Sequence, residues 1–370
     1  MRILVLFGGE SVEHEISIIT ANQVINALSV NYTVIPLYIS KENRFYYRDD
    51  LLGLDVYKDI QKVIKNKNEV SICKKNKKYF IKFKGLKKRK YFDMAFPVVH
   101  GKGMEDGTLL AYLKFKKIPA ISDSLSFYSL AQNKSLTKRI LSSLNIRTSN
   151  FLQIDKNDNL DNIEFPVIVK PNTLGSSIGI SAANNIIELN MAINEALKYD
   201  SKVIVEEFLK YCKEYNISVV EKDGKIITSN IEEVIKDSDI LDYYQKYENN
   251  DKIKGMASSK RIFPALLEEG LQEEIEEVAK KIYKYFEAKG VIRIDFLYNG
   301  KLYVNEINSI PGSYSYYLWK GKLDFVELLD AVIDSSKRDI FKENKLVKVV
   351  DKMNIFNNYR SSGVKQNKKV

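Results

Sequence analysis

Residues 290–312, GVIRIDFLYNGKLYVNEINSIPG, decide how this chain is read. Residues 291–298 are apolar and β-branched, Asn299-Gly300 is a strong two-residue turn signal, and 301–307 supply a returning strand. Pairing across the turn brings Asp295 towards Glu306 and Asn308. The i, i+2 pairs Arg293/Asp295 and Glu306/Asn308 then project from one face. That face carries two carboxylates, an amide oxygen and a guanidinium. Hard oxygen donors of this kind suit Mg²⁺, which is held by one or two carboxylates together with substrate phosphates. The alternative is a hairpin with an ordinary solvated face, which leaves unexplained the polar residues at positions a buried strand fills with apolar ones.

Around the hairpin, the amphipathic pattern predicts helices across 271–287 and near 324–336, and from Glu214 the chain reads as antiparallel β. Upstream, VIVK (167–170) and VIVEEF (203–208) read as strands flanking a glycine-rich loop and a helix across 187–198, with a further helix near 132–144. The first stretch alternates ILVLF, a helix across 16–28, YTVIPLYI, a Lys-rich hairpin insert, MAFPVVH (94–100) and a helix near 107–116. This is the pattern of a doubly wound parallel α/β domain, so the fold class is α/β followed by α+β. The expected units are 1–120, 121–208 and 209–340, with a loosely packed basic tail over 341–370.

A chain of 370 residues exceeds a single core, in keeping with two or three domains. No apolar run is long enough to span a membrane. MRILVLFGGE lacks a small-residue cleavage site and reads as a first buried strand rather than a signal. Cys73 and Cys212 are too few for a disulfide framework or a zinc site, which fits a cytoplasmic location. The net charge of +10 comes from lysines scattered over the chain, without zinc-finger spacing or an aromatic-basic RNA signature, so no nucleic-acid partner is expected. Two histidines argue against a histidine metal centre or a triad hydrolase.

Several constellations carry chemistry. KPNTLGSSIG (170–179) sets Lys170 at a strand end before a turn rich in backbone donors, suited to phosphate, though such turns are also plain hairpin loops. It lacks the Walker spacing, which excludes the P-loop class. Lys134 and Lys246 are further phosphate candidates that, taken singly, read as surface charge. Glu206 and Glu207 close a buried strand, where one carboxylate is placed to accept from an adenine amino group or ribose hydroxyls, or is a plain sheet-edge charge. In FGGESVEHEIS, Glu13 and Ser17 lie one helical turn apart at a helix start, as caps, substrate ligands or both. His100 directly follows a parallel strand, where α/β sheets gather ligands.

The motifs run in one order: GGESVEHEIS, HGKGMEDG, NKSLTK, KPNTLGSSIG, VEEFL, YYQKY, RID and NEINSIPG. Over roughly residues 1–340 this order resembles the D-alanine–D-alanine ligases of the ATP-grasp superfamily. The resemblance implies an N-terminal α/β domain, a central lid and a C-terminal catalytic subdomain, with ATP held between the last two. It implies ATP-dependent joining of two D-alanines through an acyl phosphate, for peptidoglycan precursor synthesis. Lys134, Lys170 and Lys246 would contact the phosphates, with Ser176 and Ser177 in the loop over them. Glu206, with Glu207 beside it and backbone near Leu209, would read adenine, and Glu214 the ribose. Asp295, Glu306 and Asn308 would hold two Mg²⁺ ions, with Mn²⁺ as a substitute. Glu13 would bind the first D-alanine's ammonium and hydrogen-bond with Ser176 and Tyr247. Arg293 and the Gly312 N–H would form the oxyanion hole, with His100, Tyr317 and Leu318 towards substrate. Homodimers are common in the resembled family.

The chain departs from the family pattern at four places. Met104 stands for a usual glycine and Leu174 for a usual acidic residue. Cys212-Lys213-Glu214 replaces Gly-Arg-Glu with one residue extra, and Tyr317-Leu318 replaces a Ser-Leu pair whose serine helps bind the second substrate's carboxylate. The last bears on the second substrate, so the same chemistry on a different second amino acid stays open. A non-catalytic nucleotide-binding regulator or a basic polyanion-binding module is the rival from another class, against which the retained metal set speaks. Tyrosine at 247 accompanies an amino-acid second substrate in the resembled family, whereas ester-forming relatives carry histidine there. The polar run 248–263 reads as a mobile substrate-covering loop.

Overall fold

β1 (Arg2–Gly8) is buried from Ile3 onward, because ILVLF offers no side chain to water, and this places it inside a sheet with both faces covered. In the computed structural model, which describes residues 1–101, 103, 105–155, 160, 163–235 and 260–347, that sheet has seven strands. After β1 come α1 (His14–Leu28), β2 (Thr33–Ile39), the short β3 (Phe45–Tyr46), β4 (Glu69–Lys75), β5 (Lys78–Phe83), β6 (Arg89–Phe92) and β7 (Met94–Pro97). Their spatial order is β6-β5-β4-β3-β2-β1-β7. β1 runs parallel to β2 and β7, whereas β3 to β6 extend the sheet antiparallel. The doubly wound expectation therefore holds for the three strands that carry the crossovers. The Lys-rich insert, whose KYFIKF alternates enough to bury Ile81 and Phe83 on one face, adds the rest as hairpins.

α2 (Thr108–Phe115), α3 (Leu125–Ala131) and α4 (Lys134–Ser143) follow. The helix expected near 132–144 is α4, and α3 precedes it as a further helix, separated because Asn133 leaves helical geometry to cap α4, its side chain accepting from the Leu136 N–H (3.0 Å). β8 (Phe151–Ile154), β9 (Val167–Pro171), β10 (Ser181–Ala183), α5 (Ile186–Ala196) and β11 (Val203–Glu207) build a four-stranded antiparallel sheet, ordered β10-β9-β11-β8. It has its own small core around Ile154, Val169, Leu189 and Val205.

The third sheet contains β12 (Lys213–Lys222), β13 (Lys225–Thr228), β14 (Glu232–Ile235) and β15 (Lys260–Ile262), then, after α6 (Leu271–Tyr285), β16 (Ile292–Tyr298) and β17 (Leu302–Asn308). Its order is β15-β14-β12-β16-β17, with β13 beside β12. β15 corrects the loop expected over 248–263, since residues 260–262 pair with β14. Residues 248–259, with Lys246 and Tyr247, lie outside the described residues. α7 (Phe325–Asn344) opens with a capping box between Asp324 and Glu327 and runs into the stretch expected as tail, of which 348–370 lie outside the described residues. The first and third sheets share one apolar core, crossed by Phe96 against Tyr314 (ring centroids 5.8 Å) and Phe127 against Phe286 (6.5 Å).

Asp123 sits in that shared core, 3% exposed, accepting from the Lys289 N–H with one carboxylate oxygen, while the other has no hydrogen-bond partner among the described residues. Burial pushes its carboxyl from 3.8 up to about 7, against the pull of nearby backbone donors and Lys289. Because the folded value is raised, the stability that its bound proton carries is complete at acid pH and is lost as pH rises towards 7. Asp123→Asn, neutral throughout, should therefore gain stability over the parent at pH 8, by on the order of 2–4 kcal/mol, and gain far less at pH 4. Urea denaturation at the two pH values measures this, and an equal difference at both would refute it.

Candidate active site

The hairpin expected to hold the metal set forms, but by a different route. Tyr298 pairs with Leu302 across a three-residue loop, and a β-bulge at Asn305 shifts the register so that Asp295 faces Glu306 and Arg293 faces Asn308. Loop and bulge each shift the pairing by one residue and together restore the phase. Without the bulge, Glu306 would stand on the opposite face from Asp295.

One row of polar residues crosses the third sheet at this level: Glu232 on β14, Asn216 on β12, Asp295 on β16 and Glu306 on β17 are successive cross-strand neighbours. Asp295 receives Arg293 through both oxygens (2.6 and 2.8 Å) and the Asn308 amide (3.0 Å). Burial raises its carboxyl, and the facing Arg293 opposes that shift. Glu306 pairs with Lys134 (2.8 Å), and although burial pushes its carboxyl up, Lys134, Lys170 and Arg293 hold it below the usual range. Glu214, on the same face of β12 as Asn216, adds negative potential at Asp295. Two carboxylates and the Asn308 amide oxygen are donors of the kind Mg²⁺ takes. Among the described residues no three His, Cys, Asp or Glu side chains form a ready cage.

Lys134, the first residue of α4, also donates to the Leu174 carbonyl (2.6 Å), tying the glycine-rich loop to the carboxylate row. Lys170, at the end of β9, pairs with Glu206 (2.9 Å) and reaches the bulge residue Asn305 (3.3 Å). Glu206 is 3% exposed and also faces Lys138 (3.5 Å) and the Ser149 hydroxyl (3.2 Å). Burial raises its carboxyl, but the two lysines outweigh that and bring it down to about 2. Glu207 lies on the exposed side of the strand, held by Asn150 (2.9 Å).

The N-terminal α/β unit closes the site from the other side. Glu13, just before α1, is buried and accepts the Ser176 hydroxyl. The chain approaches it closely: a Cβ on Gly175 would crowd Glu13 Oε1 at 3.3 Å, and at Gly101, whose φ is +84°, a Cβ would lie 2.0 Å from Ser11 Oγ and 2.9 Å from Glu13 Oε2, so only glycine fits there. Burial and the neighbouring Glu105 raise the Glu13 carboxyl. His100 is buried, with Nε2 3.1 Å from Thr20 Oγ1, and burial lowers its imidazole to about 4, so the ring is neutral at pH 7. Ser177 follows Ser176 in the same left-handed turn, and a Cβ on Gly312 would meet nothing within 4 Å.

Three residues of this site carried no signal in the sequence. Glu105 accepts from the Gly101 N–H (3.0 Å), Ser309 Oγ (2.8 Å) and the Ile310 N–H (3.2 Å), clamping the HGKGMEDG loop to NSIPG. It lies in a quoted motif, but nothing local marks it as a clamp. Lys138 reads as one more helix lysine, and Glu232 as one of an ordinary Glu-Glu pair. Tyr317 donates to Glu232 (2.6 Å), while Leu318 is fully buried in the core and Leu209 is half-exposed.

Comparison with known proteins gives the same reading. The family model of the D-ala D-ala ligase N-terminus matches residues 2–122 and that of the C-terminus matches 142–334. A D-alanine–D-alanine ligase of Thermosipho melanesiensis is 36% identical over 358 residues, covering 94% of this chain and 97% of that protein. One from Campylobacter jejuni is 33% identical over 343 residues, covering 90% and 93%. Among solved structures, the D-alanine–D-alanine ligase of Helicobacter pylori matches with a TM-score of 0.73 at 28% identity, over 90% of this chain and 98% of that one. The D-Ala:D-Ser ligase VanG of Enterococcus faecalis matches at 0.74 and 26%, over 90% and 99%. Two sheets enclosing a lysine-lined cleft above a carboxylate row are the mark of an ATP-grasp ligase. The chain belongs to the D-alanine–D-alanine ligase family.

Proposed function

We propose that this enzyme joins two D-alanines into D-alanyl-D-alanine, converting ATP to ADP and phosphate, as a step in making peptidoglycan precursor. One observation carries the reading: a single connected path runs from Glu306 through Lys134 to the Leu174 carbonyl, and two residues on, from Ser176 to Glu13. A carboxylate-and-lysine site for phosphoryl transfer and a buried carboxylate for an ammonium thus border one cleft.

A carboxylate is a poor electrophile, so the first D-alanine is activated by transfer of the γ-phosphoryl group to its carboxylate oxygen. Lys134, Lys170 and Lys246 stabilise the phosphate charge in flight. Asp295, Glu306 and Asn308 would hold Mg²⁺, which supplies further neutralisation of that charge. Glu13 binds the first ammonium. Its raised carboxyl and its neighbours Glu105 and Glu306 make a local excess of negative potential that a cation relieves. The amine of the second D-alanine attacks the acyl phosphate, and the tetrahedral oxyanion falls to Arg293 and the Gly312 N–H, after which phosphate leaves. Ser176, Ser177 and Tyr247 keep water from the acyl phosphate. Glu206 with Glu207 and Leu209 borders adenine, Glu214 the ribose, and His100 supports the substrate loop.

The test is ADP release with D-alanine, D-serine and D-lactate supplied singly and together, with products identified by mass. D-Alanyl-D-alanine is the expected main product at neutral pH, in line with tyrosine at 247. ADP release that ignores the D-amino acid, or D-alanyl-D-lactate as the chief product, would overturn the reading.

A further inference from the structure

Glu232 is 0% exposed, an expensive place for a carboxylate unless donors surround it. Among the described residues it has three: Asn216 Nδ2 (3.0 Å), the Tyr317 hydroxyl (2.6 Å) and Arg261 Nη1 (3.2 Å), the last lying over the Tyr317 ring at 5.4 Å from its centroid. The backbone around Tyr317 is pinned as firmly. Asn230 donates from its N–H (3.0 Å) and its side chain (3.2 Å) to the Leu318 carbonyl, and Trp319 Nε1 donates to Ser218 Oγ (3.1 Å). Glu232 and Asn216 belong to the same cross-strand row as Asp295, and Tyr317 and Arg293 interact electrostatically, so the ring borders the reacting end of the cleft. A phenol has one proton. Here it is given to a buried carboxylate, and withdrawing it would leave Glu232 short of a donor.

We propose that Tyr317, locked by Glu232, is the size-limiting wall of the second-substrate pocket, and that its hydroxyl serves Glu232 and not the substrate. This rests on the ligase reading given above, with Glu13 taking the first amino acid and the Arg293 side left for the incoming one. The admitted second substrate is a D-amino acid with a side chain about the size of methyl, selected by volume. A side-chain hydroxyl gains nothing there.

Competition tests this. The full-length enzyme with ATP and Mg²⁺ receives D-alanine mixed at equal concentration with D-2-aminobutyrate or with D-serine, which are near-isosteres. Products with D-alanine first are counted by mass and fragmentation. The parent should prefer D-alanine over both, treating the two larger amino acids alike within about threefold, since one extra methylene is worth roughly 10-fold or more in a tight pocket. Tyr317→Ser should cut the preference over D-2-aminobutyrate by about tenfold or more, leaving KM for ATP within about threefold. Glu232→Ala, which removes the acceptor that holds the ring without touching substrate, should move the ratio the same way. Should Tyr317→Ser fail to fold, Tyr317→Phe decides. A rise of more than about tenfold in KM for the second D-alanine alone would show that the hydroxyl holds the substrate and overturn the proposal; a smaller rise supports it. A Tyr317→Ser ratio within about twofold of the parent, or a D-serine preference over D-2-aminobutyrate of more than about tenfold, overturns it as well. A parent that makes no dipeptide at all would instead refute the ligase reading.

Discussion

Glu306→Gln is expected to lower kcat by about a thousandfold or more while leaving Tm within about 3 °C of the parent. Glu306 is one of the two carboxylates proposed to hold Mg²⁺, and about a thousandfold corresponds to roughly 4 kcal/mol of lost transition-state stabilisation. Its side chain keeps 32% exposure, and Lys134 retains the Leu174 carbonyl when the carboxylate is gone, so the fold has little reason to suffer. Asp295→Asn should be as damaging to turnover but not as gentle on the structure. Asp295 is 6% exposed and holds Arg293 by two bonds, so the change weakens the charge pairing of a buried guanidinium and should cost about 1–3 kcal/mol of stability as well. Steady-state ADP release over a Mg²⁺ titration, with thermal unfolding alongside, measures both. Near-normal kcat at saturating Mg²⁺ in either variant would remove the hairpin from the chemistry.

The second large effect is expected at Glu206. Glu206→Gln leaves Lys170 and Lys138 facing each other without the carboxylate that separates them, and should cost about 3–5 kcal/mol at pH 7. The folded carboxyl titrates at about 2, below its ordinary 4.5. Its contribution is therefore complete above 4.5 and is lost as pH falls through 2, so the gap between parent and variant should narrow by pH 3. Lys170 would also lose its anchor, and KM for ATP should rise about tenfold. Urea denaturation at both pH values and ATP titration give the readings. A gap that stays constant from pH 7 to pH 3 would show that the two lysines are not stabilised by this carboxylate.

Much of the site was legible from residue type and order. Lys134 and Lys170 stand at a helix start and a strand end, where backbone geometry aims them at one place. From its residues alone Glu13 read as a helix cap, a substrate ligand or both, and Ser176 took its role only from the resemblance to the family; the structure brings the two together. Glu105, Lys138 and Glu232 were not, since each has the look of an ordinary surface charge until residues far along the chain surround it. Glu105 meets Ser309 204 positions away, and Ser176 meets Glu13 163 positions away.

The sequence by itself determined the alternation of elements, the hairpin at 290–312, and the supply of hard oxygens and lysines, because hydrophobic period, turn chemistry and side-chain type are local properties. Only the tertiary structure decided the phase of that hairpin. The Asn-Gly signal suggests a two-residue turn, whereas the chain uses three residues and a bulge at Asn305, and a strand's two faces exchange with every single-residue shift. The tertiary structure also decided that Glu232 is buried against Tyr317, and hence what the phenol is free to bind. Burial is set by which distant elements pack on a strand, here the 312–319 segment over β14, and no local pattern around Glu232 records it.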